Sequence, residues 1–335
     1  MIRPVFSLLS HKLLPLLQLT RMALVFTAIA DAACSFLLLH RLHLNALPWH
    51  ELGCVVGISV GLYGFGMSLN DIIDRRRDGT VAPHRPLPSK RMGVTTAHLV
   101  CSGLFMLAMV SAAAYSYFTG IWFSLGLAIF TGLLIYFYDV AGKYLVAMGL
   151  LSLGLIRFFH CLIPAPQLPV LWHPLLLLNH VAVLSAIAYY LEEKRPALTR
   201  SHWWTVLGGL AMLNAAVIAI VATRRADRDG SWTSDLNIAP VLLWPAGAAV
   251  AFGLLAAWIV RRSATGREAG QQLMLYGLLW LIVYDAAFTG AYVTWQAALA
   301  IALLLPVAYL SVQLMRWWSA VVAISQRPAY KRAET

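Results

Sequence analysis

The chain has 335 residues, 60% of them hydrophobic and 12% charged, with a mean hydropathy of +0.73 and a formal net charge of +11 at pH 7. Soluble chains average about a quarter charged residues, so this composition excludes a soluble globular protein. The basic residues sit in short segments between apolar runs and therefore mark membrane topology, with no nucleic-acid surface among them.

Ten apolar runs follow one another at 22–39, 52–69, 93–117, 120–138, 145–163, 174–191, 203–223, 240–260, 271–289 and 292–315. Runs of this length predict an all-α, polytopic transmembrane bundle of ten helices, or nine if the last two merge, in one domain over 1–335. Within the first run, Asp31-Ala32-Ala33-Cys34 has a faint likeness to a lipoprotein cleavage site. The Asp in its first position and the apolar residues beyond Cys34 make this run a retained anchor instead. Cys34, Cys54, Cys101 and Cys161 all lie in apolar runs without metal-ligand spacing, which predicts reduced, packed thiols and no disulfide.

If the amino terminus is cytoplasmic, the inner segments hold 20 of the 25 Lys and Arg residues. They are Arg3, Lys12, Arg21, Arg75, Arg76, Arg77, Arg85, Lys90, Arg91, Lys143, Lys194, Arg195, Arg200, Arg261, Arg262, Arg267, Arg316, Arg327, Lys331 and Arg332. Arg41, Arg224, Arg225 and Arg228 fall outside, and Arg157 lies within a run. This asymmetry gives an expected orientation, amino terminus inside, in a bacterial cytoplasmic membrane. The 224–239 loop goes against the rule, its three arginines interleaved with Asp227, Asp229 and Asp235, while 164–173 reads as a plain connector. Segments after the second, fourth and sixth runs then open on one face, where their polar chemistry can converge.

After the second run comes the densest acidic cluster, Asn70-Asp71-Ile72-Ile73-Asp74-Arg75-Arg76-Arg77-Asp78. If the helix continues past residue 70, Asp71, Asp74 and Asp78 project from one face and can share hard cations. Mg²⁺ favours one or two carboxylates together with water and phosphate oxygens, so a diphosphate is the natural partner. A solvated helix end neutralised by its arginines is the plainer reading. Against it stands Pro83-His84-Arg85-Pro86-Leu87-Pro88-Ser89, a Pro-rich loop whose Arg fork suits phosphate.

Residues 70–89 resemble the first signature of the UbiA-type intramembrane prenyltransferases, an Asn-Asp-x-x-Asp-x-x-x-Asp run followed by Arg-Pro-Leu-Pro-Ser. The resemblance extends more weakly to Thr27–Asp31, to Tyr138, Asp139 and Lys143, and to Arg157. It implies a UbiA-like bundle in which Mg²⁺ holds a prenyl diphosphate, the C–O bond ionises, and an acceptor of unidentified, hydrophobic or aromatic, character captures the allylic cation. By the same resemblance Asn70, Asp71, Asp74 and Asp78 are catalytic, Asp71, Asp74 and Asp78 bind metal, and Arg85 and Lys143 grip diphosphate. Arg157, His160 and Tyr138 become pocket residues.

Several positions depart from that pattern. A second Asp-x-x-x-Asp motif is expected after the sixth run, where this chain has Glu192-Glu193-Lys194-Arg195. Adjacent residues point about 100° apart on a helix, so at most one glutamate faces the first cluster. Either Glu192 or Glu193 is a single second-site metal ligand, or the two form a solvated charge pair; an eboC-like branch of the family also shows Glu here. Ala82 stands where many members have Arg, Lys90 where Gly usually follows Pro-Ser, and His160 where Asn is common. Arg157 either orients substrate or pairs with Asp31 or Asp285. Tyr63, Tyr136, Tyr138, Tyr189 and Tyr190 form an interfacial belt or shield an allylic cation. Cyclisation of a terpene diphosphate, or carriage of a phosphorylated lipid without cleavage, are the alternative activities.

Overall fold

The computed structural model describes residues 13–40, 47–168, 171–229 and 242–325, and at 224–229 and 322–325 the backbone alone. Arg3, Lys12, Arg41, Asp235, Arg327, Lys331 and Arg332 lie outside the described residues, as do the side chains of Arg224, Arg225, Asp227, Arg228 and Asp229. In chain order the helices are α1 (Leu14–Leu19), α2 (Val25–His40), α3 (Trp49–Val81), α4 (Val94–Thr119), α5 (Phe123–Val140) and α6 (Val146–Leu162). They continue as α7 (Trp172–Leu191), α8 (Arg200–Asp229), α9 (Leu243–Arg262), α10 (Gly266–Tyr292), α11 (Trp295–Ala302) and α12 (Leu304–Ser325). No strand occurs among the described residues.

Among these residues nine helical segments are long and apolar enough to cross a membrane, with α11 and α12 together making the last. The remaining predicted run, the fifth, is α6, apolar but 17 residues long; it spans about 25 Å. Runs nine and ten do not merge. The chain breaks at Val293, and Thr294 starts α11 by accepting a hydrogen bond from the Ala297 amide, 3.2 Å. The protein is thus an integral membrane bundle.

Two helices outrun their apolar patterns. α3 continues through the whole acidic run to Val81, so the polar residues after 70 extend the helix into the interface. α8 continues to Asp229, which corrects the expected 224–239 loop: Arg224, Arg225 and Arg228 belong to a helix end. Their Arg, Ala and Asp sequence has no Gly or Pro to stop it.

α2 and α7 are the most enclosed spans, whereas α8, α9 and α12 expose most of their surface. Trp204, Leu207, Met212, Val250, Leu254, Leu310 and Leu314 are among the large apolar side chains left outward on those three, the surface a lipid solvent calls for. α3 and α4 approach closely because Gly57, Gly61 and Gly64 line their seam. A Cβ on Gly61 would sit 2.6 Å from the Leu104 carbonyl oxygen and the Ala108 nitrogen. Gly61→Ala is therefore expected to lower stability by about 1–3 kcal/mol. Gly53→Ala, which meets nothing within 4 Å, should be neutral or stabilising, and thermal unfolding of the two variants in detergent tests the contrast.

The polar face of the bundle collects the end of α3, the α3–α4 loop, the α5–α6 turn and the start of α2. Across the same face, Gly266 at the start of α10 abuts the Leu191 carbonyl at the end of α7. Gln18 of α1 donates to Ser319 of α12 at 2.8 Å.

Candidate active site

The continuous α3 sets the acidic geometry. Positions seven apart differ by about 20° around a helix and positions three apart by about 60°, so Asp71 and Asp78 share a direction and Asp74 is turned aside. The contacts follow this. Arg85 Nη1 donates to Asp78 Oδ2 at 2.6 Å and to Asp71 Oδ1 at 3.4 Å, and Arg21 Nη2 reaches Asp71 Oδ1 at 3.3 Å. Lys143 Nζ, on the 3-10 turn Gly142–Tyr144 between α5 and α6, donates to Asp74 Oδ1 at 2.8 Å and Asn70 Oδ1 at 3.4 Å.

The loop 82–93 holds Arg85 through its own backbone. Arg85 donates its amide to the Ala82 carbonyl, its carbonyl accepts from the Ser89 hydroxyl at 2.6 Å, and Arg91 reaches the His84 carbonyl. Leu87 is buried against Leu19, Ile72, Ala97 and Cys101, which pins the loop to α1, α3 and α4. Lys90 has φ 57°, a left-handed conformation that suits glycine, so the lysine here carries backbone strain. Partial burial pulls the Arg91 guanidinium down from its ordinary pKa and still leaves it charged.

Beside these groups lies a cavity of about 810 Å³, lined by Arg21, Asp71, His84, Arg85, Arg91 and Arg316 at its polar end and by Leu17, Leu24, Leu275, Val312 and Met315 elsewhere. That volume lies within the range of small-molecule sites. A lining that combines several cations with apolar side chains suits an amphiphile with an anionic head.

The structure thus gathers Asn70, Asp71, Asp74, Asp78, Arg85 and Lys143 at one place. Tyr138 and Asp139 join from the end of α5. The charged neighbours of buried Asp139 are Lys143, Asp74, Arg21 and Asp71, and its Oδ1 has no hydrogen-bond partner. Glu192 caps α7, packs on Gly270 of α10 and pairs with Lys194 at 3.3 Å, while Glu193 is exposed with φ 51°. Arg157 lies deeper, bound to Asp31 and to Thr27 at 3.0 Å, and His160 is buried one turn on, both ring nitrogens without partners. Of the tyrosines, Tyr63 donates to the Arg21 carbonyl at 3.4 Å, whereas Tyr136 and Tyr190 are exposed, as in an interfacial belt.

Sequence reasoning assigned Arg21 to topology alone and left Asp139 outside the site. A signal existed for Asp139, since it stands beside Tyr138 and four residues before Lys143. None existed for Arg21, which enters the site by the φ 46° break between α1 and α2.

A membrane-embedded helical bundle with an oxygen-rich acidic cluster facing fixed cations is the class that fold and site define. The fold itself is UbiA-type. The chain is similar to a digeranylgeranylglyceryl phosphate synthase at TM-score 0.58 and 18% identity, over 84% of this chain and 99% of the other. It is similar to a UbiA homolog from Archaeoglobus fulgidus at TM-score 0.50 and 14% identity, over 82% and 99%. That archaeal protein has also been solved bound to DMAPP and Mg²⁺, at TM-score 0.47 and 16% identity, over 91% and 99%. No protein-family model matches the chain, and no curated protein matches it by sequence.

Proposed function

We propose that the protein is a Mg²⁺-dependent prenyltransferase that moves a prenyl group from its diphosphate to a hydrophobic or aromatic acceptor within the bacterial cytoplasmic membrane. The observation that carries this reading is the set of three aspartates on one helix face, each already held by a cation from another segment. Four carboxylates, with Asp139, face three cations, Arg21, Arg85 and Lys143. The carboxylates attract a hard divalent cation, and their donors are the oxygens Mg²⁺ prefers.

Asp71, Asp74 and Asp78, with Asn70, would hold the metal, which supplies charge stabilisation on the leaving oxygens when bound. Arg21, Arg85 and Lys143, which pair with those carboxylates here, would then donate to diphosphate. Ionisation sends both electrons of the C–O bond to diphosphate, where these fixed donors stabilise the transition state more than the ground state. The apolar wall of Leu24, Leu275, Val312 and Met315 would take the prenyl tail and keep water from the allylic cation. Tyr138, Arg157 and His160 are assigned to the pocket beyond the diphosphate. Glu192 and Glu193 keep the weaker assignment of second-site ligand. Asp139 supplies the nearer carboxylate, and its unpartnered oxygen fits that task better.

The test is pyrophosphate release from geranyl, farnesyl and geranylgeranyl diphosphates by purified protein in lipid, with and without a panel of acceptors. Release should require Mg²⁺, and Asp139→Asn should lower it by about 10–100-fold while Glu193→Gln has little effect. Prenylated acceptor as product supports transfer, and a cyclic hydrocarbon or prenol would replace it by cyclisation or hydrolysis. Tight Mg²⁺-dependent diphosphate binding without release across the acceptor panel would overturn the enzyme in favour of a carrier.

A further inference from the structure

Deeper in the bundle lies a second polar cluster, joined to the proposed pocket through the Asp31–Arg157 pair. Asp285 lies 19 residues into α10 from Gly266, about 28 Å along that helix, and its neighbour Asp31 lies six residues into α2, about 9 Å from Val25. Around it come Asp31 and Cys34 from α2 and His173 from α7, and all four side chains are fully buried at 0% exposure. One donor atom from each of Cys34, His173 and Asp285 lies within 4.8 Å of the other two.

The surroundings orient these donors. Ser35 Oγ lies 3.3 Å from His173 Nδ1, which leaves Nε2 facing Asp285 Oδ1 at 2.7 Å. Fixing one imidazole nitrogen with a hydroxyl so that the other meets a metal is a common arrangement around ligating histidines. Cys34 Sγ lies 3.4 Å from both the Asp285 carbonyl and Thr289 Oγ1, whose hydroxyl donates to that carbonyl at 2.7 Å, so the thiol is held at the end of the cluster. A separate observation shows where a cation would be held. Asp31 Oδ1 and Asp285 Oδ2 are buried without hydrogen-bond partners, yet the two carboxyl groups lie within hydrogen-bonding reach of each other. Two carboxylate oxygens are both acceptors, so either a shared proton or a bound cation must join them.

We propose that Cys34, His173 and Asp285, with Asp31 as the fourth donor, bind one zinc-like divalent cation inside the membrane bundle. Thiolate, imidazole and carboxylate are the ligand types of Zn²⁺ and are too soft a set for Mg²⁺. Charge closes as well. Arg157 balances Asp31, and the Asp285 carboxylate and Cys34 thiolate balance the ion. Binding one M²⁺ releases two protons, the thiol proton and the one otherwise shared among Asp31, Asp285 and His173. The ion takes the place of the His173–Asp285 hydrogen bond. Because the site has no exposed atom, the ion is captured as α2, α7 and α10 pack, and it resists chelators in the folded protein.

Elemental analysis of the full chain, purified in detergent from zinc-replete cells, should find about one zinc per chain that survives EDTA dialysis, and at least about tenfold less in Cys34→Ser and His173→Gln. Asp71→Asn/Asp74→Asn should keep its zinc, which separates this site from the diphosphate site. Protein made in cobalt-containing medium should show thiolate-to-cobalt charge-transfer absorption with intense tetrahedral bands. That spectrum needs no variant, so it decides the matter even where Cys34→Ser fails to fold. Wild type without bound zinc and without the cobalt spectrum overturns the proposal, and so does a folded Cys34→Ser that keeps its full zinc content.

Discussion

Replacing Asp71 with Asn should cut Mg²⁺-dependent pyrophosphate release by about 10²–10³-fold while changing the unfolding temperature little. Activity and stability separate here because of what Asp71 touches. Its partners Arg21 and Arg85 are 39% and 32% exposed, and ion pairs open to solvent contribute little to folding. Losing the carboxylate removes a metal ligand yet leaves two arginines that water can solvate. Asp74→Asn should behave alike in activity. It should cost somewhat more stability, since Lys143, only 12% exposed, loses its main acceptor. Lys143→Ala should lower affinity for the diphosphate more than for the metal. Equilibrium binding of a non-hydrolysable prenyl diphosphate, with and without Mg²⁺, reads that split, and unchanged diphosphate affinity in Lys143→Ala would remove the lysine from its assigned role.

The largest stability loss is expected at Arg157. Arg157 lies 12% exposed against Asp31 at 0%, within helices whose surroundings are apolar side chains and lipid. Removing one partner of such a pair leaves an unpaired buried charge, with a cost of about 3–5 kcal/mol. Arg157→Met should therefore unfold in detergent at a far lower temperature than wild type. Asp31→Asn leaves the guanidinium only Thr27 and the amide oxygen and should suffer similarly. The double variant Asp31→Leu/Arg157→Met removes both charges together and should recover about 1–3 kcal/mol of the summed single losses. If the double variant is no better than the sum, the two residues do not act as a pair. The same cycle tests the two roles the sequence allowed for Arg157. A purely structural pair predicts that the double variant regains pyrophosphate release along with its stability, whereas a substrate-orienting arginine predicts a stable but slow enzyme.

How much of this was legible before the structure depended on how far apart the cooperating residues lie in the chain. Asp71, Asp74 and Asp78 fall in one helix, so periodicity alone put them on one side. What periodicity did not give is which cations meet them, Lys143 at Asp74 and Arg85 at Asp71 and Asp78. The spans were readable because lipid demands long apolar runs. The ends of α3 and α8 were not, since polar residues at an interface can continue a helix as readily as end it. Arg21 escaped notice because a basic residue between spans already has an explanation in topology. The Asp31–Arg157 pair was one of two alternatives for partners 126 residues apart, and only packing chose between Asp31 and Asp285. Cys34, His173 and Asp285 had no readable spacing at all, for they come together from three separate helices. Lys90 shows the converse: its departure from the glycine of the UbiA-type pattern was plain in the sequence, and the left-handed backbone gives the physical reason glycine suits the place.

The hydrogen bond from Gln18 to Ser319 joins residues 301 positions apart, and Leu17, Leu24, Val312 and Met315 on either side of it line the same cavity. α1, the turn that leads into α2, and α12 therefore make a common wall. During synthesis at about 5–20 residues per second, some 15–60 s separate the appearance of its two halves. For that interval the aspartate helix is already in the bilayer while the chamber beside it stands open to lipid. On the proposed reading, a nascent chain can bind metal before it can enclose a substrate, so the reactive cation has nowhere to form until α12 completes the wall.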